Sequence, residues 1–351
     1  MIMTANRSAD PLLSILITTY NRSFFLRQCL ESIKKSLVNS RYFNDVEIVL
    51  LNNGCTDDTI EITNQFKDVL PLKVLHEEST IGFDNGLLKC IDSAKSRYCW
   101  FLGDDDYIAI DNIDSLIDYI EKFVPDILLL NHYFYIFENG KATFLKKDDN
   151  GYLMNKSKDC YVSYGEYILD ARHNNAFFTH IAPVVFRRDL WHQYFSKKAM
   201  ERHFKAHSHH THVLLSVLKN SKRICYFREQ ALVLGFAAPQ GNKRSDWTLT
   251  EEERYYRFKV DIIYFTDIFK DVFREKKLVR HIKGVMLRRS VLVLLLGSKV
   301  RGKYSYRFYM KLLKLFYARY KSYPFFWYGI IPVFLTPRII FSLLYKWFIK
   351  E

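Results

Sequence analysis

Several features that mark common protein classes are missing from this sequence of 351 residues. The six cysteines form no CxxC pair, so the sequence predicts neither a zinc site nor a disulfide framework, and a reducing compartment fits them. The turns that follow the strands contain neither GxGxxG nor GxxxxGK(S/T), which disfavours a dinucleotide-binding or P-loop protein. The segment 1–10 has no apolar run of the signal-peptide kind, and we therefore expect a cytoplasmic protein.

Acidic residues are missing from the C-terminal part of the chain. Between Lys276 and Lys350 there is none, whereas 17 lysines and arginines occur there, and aromatic and aliphatic residues alternate with them. This pattern is typical of helices that lie in an anionic membrane interface. Prolines and cations interrupt the last apolar stretch, 325–349, so we predict helices that lie on the membrane and do not span it. Nucleic-acid binding would explain the cations but not the apolar residues.

The N-terminal part repeats a strand, a polar turn and a helix. A hydrophobic content of 49% excludes a disordered chain, and strands that alternate with helices predict a mostly parallel sheet covered by helices on both faces. In such sheets ligands bind at the carboxyl ends of the strands, so the polar turns should gather along one edge. The predicted strands are 12–17, 46–51, 72–75 and 98–102.

Three adjacent carboxylates follow the fourth strand, at Asp104, Asp105 and Asp106. Like charges this close repel one another unless water or a cation accommodates them, and Mg²⁺ and Mn²⁺ prefer carboxylate oxygens. A solvated acidic turn is the alternative interpretation. The position after a hydrophobic strand, with polar turns upstream, favours a cation site.

Four motifs in order carry a resemblance to a known family. They are Ile17-Thr18-Thr19-Tyr20-Asn21-Arg22, Asn52-Asn53-Gly54-Cys55-Thr56-Asp57, Ile81-Gly82 and Phe101-Leu102-Gly103-Asp104-Asp105-Asp106. Over residues 12–240 the chain resembles glycosyltransferase family 2, and most closely its abequosyltransferase-like branch, whose members decorate bacterial O-antigen. The resemblance implies a GT-A fold, a nucleotide-sugar donor, a divalent metal and inversion at the anomeric carbon.

The resemblance also implies which residues form the site. Asp105 falls on the metal-binding aspartate, whereas Gly103 replaces the first aspartate of the usual DxD, so that Asp104 or Asp106 must assist. Asn52 replaces an aspartate that reads the base and ribose in many members, which leaves the base preference open. Asp105 and Asp106 are the predicted metal ligands. The predicted nucleotide-sugar-binding residues are Thr19, Tyr20, Asn21, Arg22, Asn52, Asn53, Gly82, Asp84, Asp104 and, in a loop expected to close on the diphosphate, Lys243 and Arg244.

A cluster of five histidines lies between residues 203 and 212, where many family members carry a Glu-Asp pair whose aspartate is the general base. No carboxylate occurs here between Glu201 and Glu229, and imidazole can take the proton instead. His212, which matches a histidine of the branch, is the first choice for the base, and His210 is the second. Surface histidines without a role, or a histidine that helps to hold the cation, are the alternatives.

These observations predict two parts, a GT-A catalytic domain over residues 1–245 and a basic helical membrane-associating region over 246–351. The expected reaction is inverting, Mg²⁺- or Mn²⁺-dependent transfer of a sugar from a nucleotide donor to a lipid-linked (polyprenyl diphosphate) glycan at the cytoplasmic face of the bacterial inner membrane, in O-antigen or capsule synthesis. A catalytically degenerate GT-A scaffold and a nucleotidyltransferase are the competing hypotheses.

Overall fold

The computed structural model describes residues 10–111, 113–138, 141–145, 153–155, 158–203, 209–236, 250–300, 304–337 and 340. Within them ten strands form one sheet, in the order β3-β2-β1-β4-β9-β6-β10-β5, with β7 paired to β6 and β8 paired to β10. The strands are β1 (Leu13–Thr19), β2 (Val46–Asn53), β3 (Leu72–Glu77), β4 (Tyr98–Phe101), β5 (Tyr107–Ile108), β6 (Ile127–Glu138), β7 (Lys141–Leu145), β8 (Cys160–Tyr161), β9 (Val184–Arg187) and β10 (Ile224–Phe236).

The sheet is mixed, which corrects the prediction of a mostly parallel sheet. The four predicted strands, β1 to β4, are parallel to one another, and β10 is parallel to β6. Strand β9 lies between β4 and β6 and is antiparallel to both. Antiparallel pairs also attach β5, β7 and β8. The N-terminal end of β9 consequently lies at the same edge as the C-terminal end of β4.

Fourteen α-helices accompany the sheet in the described residues. They are α1 (Ser23–Leu37), α2 (Thr59–Phe66), α3 (Phe83–Ser93), α4 (Asp114–Phe123), α5 (Tyr164–Asp170), α6 (Arg188–Tyr194), α7 (Lys197–His203), α8 (His209–Asn220), α9 (Glu251–Lys259), α10 (Phe265–Val272), α11 (Lys276–Met286), α12 (Leu292–Val300), α13 (Tyr306–Tyr320) and α14 (Ile331–Leu335). Two 3₁₀ turns (Phe43–Asp45, Asn174–Phe177) and three π-helical turns (Val260–Tyr264, Leu287–Val291, Phe326–Ile330) complete the helical elements.

The central strands are buried on both faces, because side chains alternate between the two sides of a strand. In β4, Phe101 packs on one side with α3, α8 and α10, whereas Trp100 packs on the other side with α1 and α4. Trp100 also ties two strands together, since its Nε1 donates a hydrogen bond to the Ala182 carbonyl at 2.7 Å. The loop before β9 is thereby fixed to β4.

The C-terminal helices pack in two places. Helices α10 and α11 contribute to the core on one face of the sheet through Phe265, Phe269 and Ile282. The helices after them form a separate core around Phe316 and Tyr320. Part of the region predicted as a membrane-associating appendage therefore covers the sheet. None of the helices in the described residues combines the length and the apolar character needed to cross a membrane.

One disulfide corrects the sequence prediction. Cys160 and Cys225 are directly opposite each other in the antiparallel pair of β8 and β10, and their sulfur atoms are bonded. Cys29, Cys55, Cys90 and Cys99 are free thiols. Because two of the six cysteines are paired, the distribution of cysteines no longer argues for a reducing compartment.

Candidate functional site

The ends of β1 and β4 bring the first turn and the acidic run together. Leu16 of β1 is in register with Phe101 of β4, so that the residues just beyond each strand are neighbours. Thr19 Oγ1 donates to Asp104 Oδ2 at 2.8 Å. Arg22 Nη1 lies 2.7 Å from Asp104 Oδ1, and its Nη2 lies 2.7 Å from Asp105 Oδ2. The expected convergence of polar turns at one edge of the sheet is present here.

The three carboxylates of the acidic run have different surroundings. Asp104 is buried against Thr19 and Arg22, whereas the Asp105 side chain is 18% exposed. Asp106 is buried, and its two oxygens accept hydrogen bonds from the backbone N–H groups of Gly103 and Gly235 at 3.0 and 2.9 Å. A Cβ atom at Gly103 would lie 2.6 Å from Asp106 Oδ2, so a larger residue there would have to displace the Asp106 carboxylate. Asp106 therefore holds the turn that presents Asp105.

Burial raises the pKa of two of these carboxyl groups. The pKa of Asp104 is raised to about 7 by burial and by the Asp105 charge, although the Arg22 guanidinium acts in the opposite direction. The pKa of Asp106 is raised to about 8 by burial and by Asp105, against its two backbone hydrogen bonds. The raised pKa values show that the surroundings disfavour the charged form of both carboxyl groups. A cation bound beside them would lower their pKa values.

The first two turns are bound to each other by the side chains predicted to meet the nucleotide. Asn21 has a left-handed backbone (φ 52°), and its Oδ1 accepts the Thr56 N–H at 2.7 Å. Asn52 Oδ1 accepts the Cys55 N–H at 2.8 Å, and Cys55 Sγ in turn donates to the Thr19 carbonyl at 3.3 Å. These bonds fix the shape of the edge, while the Tyr20 side chain, 49% exposed, projects from it.

The third turn is attached to the second by Asn53. Its Oδ1 accepts the Ile81 N–H at 2.9 Å, and its Nδ2 donates to the Gly82 carbonyl at 3.3 Å. Gly82, at φ 80°, permits the sharp entry into α3, where Asp84 is buried with its Oδ1 2.9 Å from His209 Nδ1. Asp84 thus contacts the histidine cluster, a contact that the sequence prediction did not include.

His210 and His212 lie on different sides of α8, because two residues along a helix correspond to a rotation of about 200°. His210 is buried near Asp84 and His180, and burial lowers its pKa to about 3. His212 instead stacks on His203, and its Nε2 lies 3.7 Å from Asp271 Oδ2. Of the two predicted bases, His210 faces the edge of the sheet, and His212 faces α10.

His180, which the sequence analysis did not single out, connects the acidic run with the histidines. It lies in the loop before β9, two residues from the Ala182 carbonyl that Trp100 binds. Its side chain is open to solvent, yet the surrounding protein lowers its pKa, and Asp105 is close enough to act in the opposite direction. His180 thus lies near Asp105 of the acidic run and near His210 of α8, and the space among these three residues is called the cleft below. The Arg257 charge in α9 also lowers the pKa of His180.

Two sets of residues have the chemistry of a cation site. The acidic run fits the hard divalent metal that the family resemblance implies, because it offers carboxylate oxygens, one of them exposed, with raised pKa values beside it. The second set is His203, His212 and Asp271, whose ligand atoms all lie within 4.8 Å of one another. Arg202 Nη1 is 2.8 Å from both Asp271 oxygens, so an ion pair already neutralises that carboxylate.

The remaining predicted site residues, Lys243 and Arg244, lie outside the described residues, as does His207 of the cluster. The described part of the site therefore consists of the turns after β1, β2 and β4, the start of α3, the loop before β9 and the start of α8.

A mixed α/β sheet with an acidic run at the end of a central strand, beside a polar first turn and a group of histidines, is the arrangement expected for a glycosyltransferase of the GT-A type. The model of glycosyl transferase family 2 matches residues 14–195, about half of the chain, and the chain belongs to this family. The predicted family is thereby confirmed.

Relatives in bacteria agree with this assignment. The abequosyltransferase RfbV of Salmonella typhimurium is 26% identical over 188 residues, which are 51% of this chain and 54% of the relative. The glycosyltransferase GlyG of Streptococcus pneumoniae is 28% identical over 134 residues, 38% of this chain and 43% of the relative. The chain spans about half the length of these relatives. Among solved structures, residues 1–349 of S. aureus TarS in complex with UDP-GlcNAc superpose with a TM-score of 0.58 at 15% identity, covering 89% of this chain and 82% of that chain.

Proposed function

We propose that this glycosyltransferase transfers a sugar, with inversion, from a nucleotide-sugar donor to a hydroxyl of a lipid-linked glycan in bacterial O-antigen or capsule synthesis. The observation that carries the proposal is the convergence of Thr19, Arg22, the acidic run and His180 at one edge of the sheet. RfbV, an abequosyltransferase, and TarS, solved with UDP-GlcNAc, support a nucleotide-sugar donor.

The donor would lie across the turns after β1, β2 and β4. Thr19, Asn21 and Asn52 shape the floor on which the nucleotide rests, and the exposed ring of Tyr20 provides a surface for the base. Asp105 would hold Mg²⁺ or Mn²⁺, with Asp104 or Asp106 beside it. The metal, when bound, neutralises the charge that develops on the leaving diphosphate.

Arg22 contributes to the same electrostatic task. Its guanidinium lies on Asp104 and Asp105 and places a permanent positive charge where the diphosphate would be. Arginine binds phosphate oxygens through paired N–H groups, so Arg22 can exchange a carboxylate for a phosphate once a cation binds the acidic run.

His180 is the general base that the geometry supports best. A base must be accessible to the acceptor hydroxyl and unprotonated at working pH, and the exposure of His180 together with its lowered pKa supports this role. The prediction that His212 is the base stays a prediction, and the contacts of His212 with His203 and Asp271 do not support it.

The properties of the C-terminal region support two parts of the proposal, the attachment of the protein to the membrane and the lipid-linked acceptor. Its cations and its exposed aromatic side chains, such as Tyr306 (79% exposed) and Tyr328 (69% exposed), would hold the protein at the cytoplasmic face of the membrane, where a polyprenyl diphosphate-linked glycan is accessible.

The test of the proposal is the release of nucleoside diphosphate from a panel of nucleotide sugars, with and without Mn²⁺, with a lipid-linked glycan as the acceptor. We expect one donor to be consumed only when both metal and acceptor are present. Failure of every donor to bind would contradict the proposal and would leave the degenerate scaffold as the better hypothesis. Release of nucleoside diphosphate distinguishes glycosyl transfer from nucleotidyl transfer, in which the nucleoside monophosphate is bonded to the acceptor and sugar 1-phosphate is released.

A further inference from the structure

A cavity in the C-terminal region is lined by an unusual number of cations. Its volume is about 500 Å³, within the usual range for small-molecule sites. It lies where α10 turns into α11, beneath the residues that follow α13. Five of its nine lining residues are cationic and none is acidic, and the ones that matter here are Lys270, Arg274, Lys276, Arg280, Lys283 and Tyr323.

The acidic residues closest in sequence to the cations of the cavity either pair with other side chains or are exposed. Asp271 is occupied by Arg202 and His203, and the Glu275 carboxylate accepts a hydrogen bond from the Tyr164 hydroxyl. Asp267 lies 3.9 Å from Lys270, but both side chains are about half exposed, and such a pair contributes little. The positive charge around the cavity is therefore largely uncompensated by the described residues that line it.

The local backbone adds to this positive potential. Helix α11 begins at Lys276 with Glu275 as its N-cap, and its first turn itself has no acidic residue, although the positive end of the helix dipole disfavours cations there. Lys283, two turns further along α11, is half-buried, and burial together with neighbouring Lys270 lowers its pKa. Holding cations at a helix N-terminus and in a partly buried position costs free energy that a bound anion would recover.

Part of the wall is formed by the aromatic ring of Tyr323, which contacts two of the cationic side chains. The Arg280 guanidinium lies 5.8 Å from the centre of the Tyr323 ring, and Lys283 Nζ lies 5.4 Å from the same ring. Lys283 Nζ also donates to the Arg319 carbonyl at 3.2 Å. These contacts hold the Arg280 and Lys283 side chains on one side of the cavity.

We propose that this cavity binds a phosphate-bearing anion, a monophosphate or diphosphate group of a lipid headgroup or of a soluble molecule. Arginine and lysine together provide paired N–H groups and point charges for phosphate oxygens, and the tyrosine wall accepts the less polar part that carries the phosphate. The site is separate from the acidic run, and the inference does not depend on the proposed transfer reaction.

The test is calorimetric titration of the full chain with inorganic pyrophosphate in buffer free of divalent ions, together with flotation on phosphatidylcholine vesicles with and without phosphatidylglycerol. The cavity variant is Arg274→Gln with Arg280→Gln, since both side chains are exposed and their loss should not disturb folding. The control is Lys67→Gln with Lys95→Gln, which removes the same charge from exposed positions outside the C-terminal region.

We expect the cavity variant to weaken binding of at least one probe by about tenfold or more, while the control changes it by less than about twofold. A selective loss for pyrophosphate identifies a soluble phosphate ligand, and a selective loss for the anionic vesicles identifies a headgroup. Equal losses in both variants, or no binding of either probe by the unaltered protein, would overturn the proposal. If the cavity variant does not fold, Lys270→Gln with Lys276→Gln takes its place, judged by the same outcomes.

Discussion

Arg22 and Asp105 form an ion pair at the mouth of the site, with Nη2 2.7 Å from Oδ2. Asp105 is the one member of the acidic run whose side chain is not buried, so it can meet a metal without a change in the fold. We predict that Asp105→Asn, which keeps the shape and removes the charge, lowers kcat by roughly a hundredfold or more at saturating Mn²⁺. Asp111→Asn is the control, because Asp111 is exposed and pairs with Lys35 nearby. Full activity of the Asp105 variant would place the metal elsewhere.

His180, in the loop before β9, and His212, on α8, are the candidates for the base. Replacing His180 with Gln should lower kcat by about 10²- to 10⁴-fold, because the proton acceptor is lost. It should also remove the decrease in rate on the acidic side of the pH–rate profile. Replacing His212 with Gln should lower kcat by less than about tenfold, since His212 contacts His203 and Asp271. The reverse order of effects would restore His212 as the base.

The pKa of Asp261 leads to a prediction of how the free energy of unfolding depends on pH. Burial raises its pKa to about 6, although Ser290 and Arg257 oppose the shift. Because the folded state favours the protonated acid, the stability due to this group is complete below its unfolded pKa near 4 and is lost as the pH rises through 6. Asp261→Asn should therefore raise the free energy of unfolding by about 1–2 kcal/mol at pH 7.5 and by less at pH 5. Urea unfolding at both pH values measures this, with exposed Asp267→Asn as the control; a gain that is larger at pH 5 would contradict it.

The disulfide between Cys160 and Cys225 can be tested by counting the free thiols. Alkylation of the denatured protein should modify four thiols without a reductant and six with one. The bond closes a chain segment with a sequence separation of 65, so reduction should lower the free energy of unfolding by about 2–4 kcal/mol. Six reactive thiols in protein purified under oxidising conditions would show that the pair does not form.

Membrane association is best tested without deleting helices, because α10 and α11 belong to the core on one face of the sheet. Tyr328 and Leu335 are 69% and 76% exposed, and replacing both with Gln should reduce recovery with anionic vesicles several-fold. Val162→Gln is the control, since Val162 is 81% exposed but lies in the catalytic domain. Unchanged recovery of the double variant would argue against this surface as the membrane contact.

The sequence predicted the parts of the fold that follow local rules. Alternation of strands and helices located β1 to β4, and the position of polar turns after parallel strands predicted that Thr19 and Arg22 would meet the acidic run. The direction of β9 depends on long-range pairing that no local pattern encodes. Had β9 been parallel to β4, His180 would lie at the opposite edge, which is why this residue was missed.

Two further differences have the same origin. The spacing of His210 and His212 shows that they face different ways, but only the packing of α8 decides which of them faces the cleft. Cys160 and Cys225 are far apart in sequence, and only the antiparallel contact of β8 with β10 places them opposite each other.

The hydrogen bond from Trp100 to the Ala182 carbonyl has a consequence for the energetics of turnover. It couples the strand that presents Asp105 to the loop that presents His180, so the proposed metal ligand and the proposed base are ordered together when the chain folds. The entropy of arranging them is then lost once, during biosynthesis, and not again in each catalytic cycle. An incoming acceptor needs only to find its place between two groups whose separation is already set.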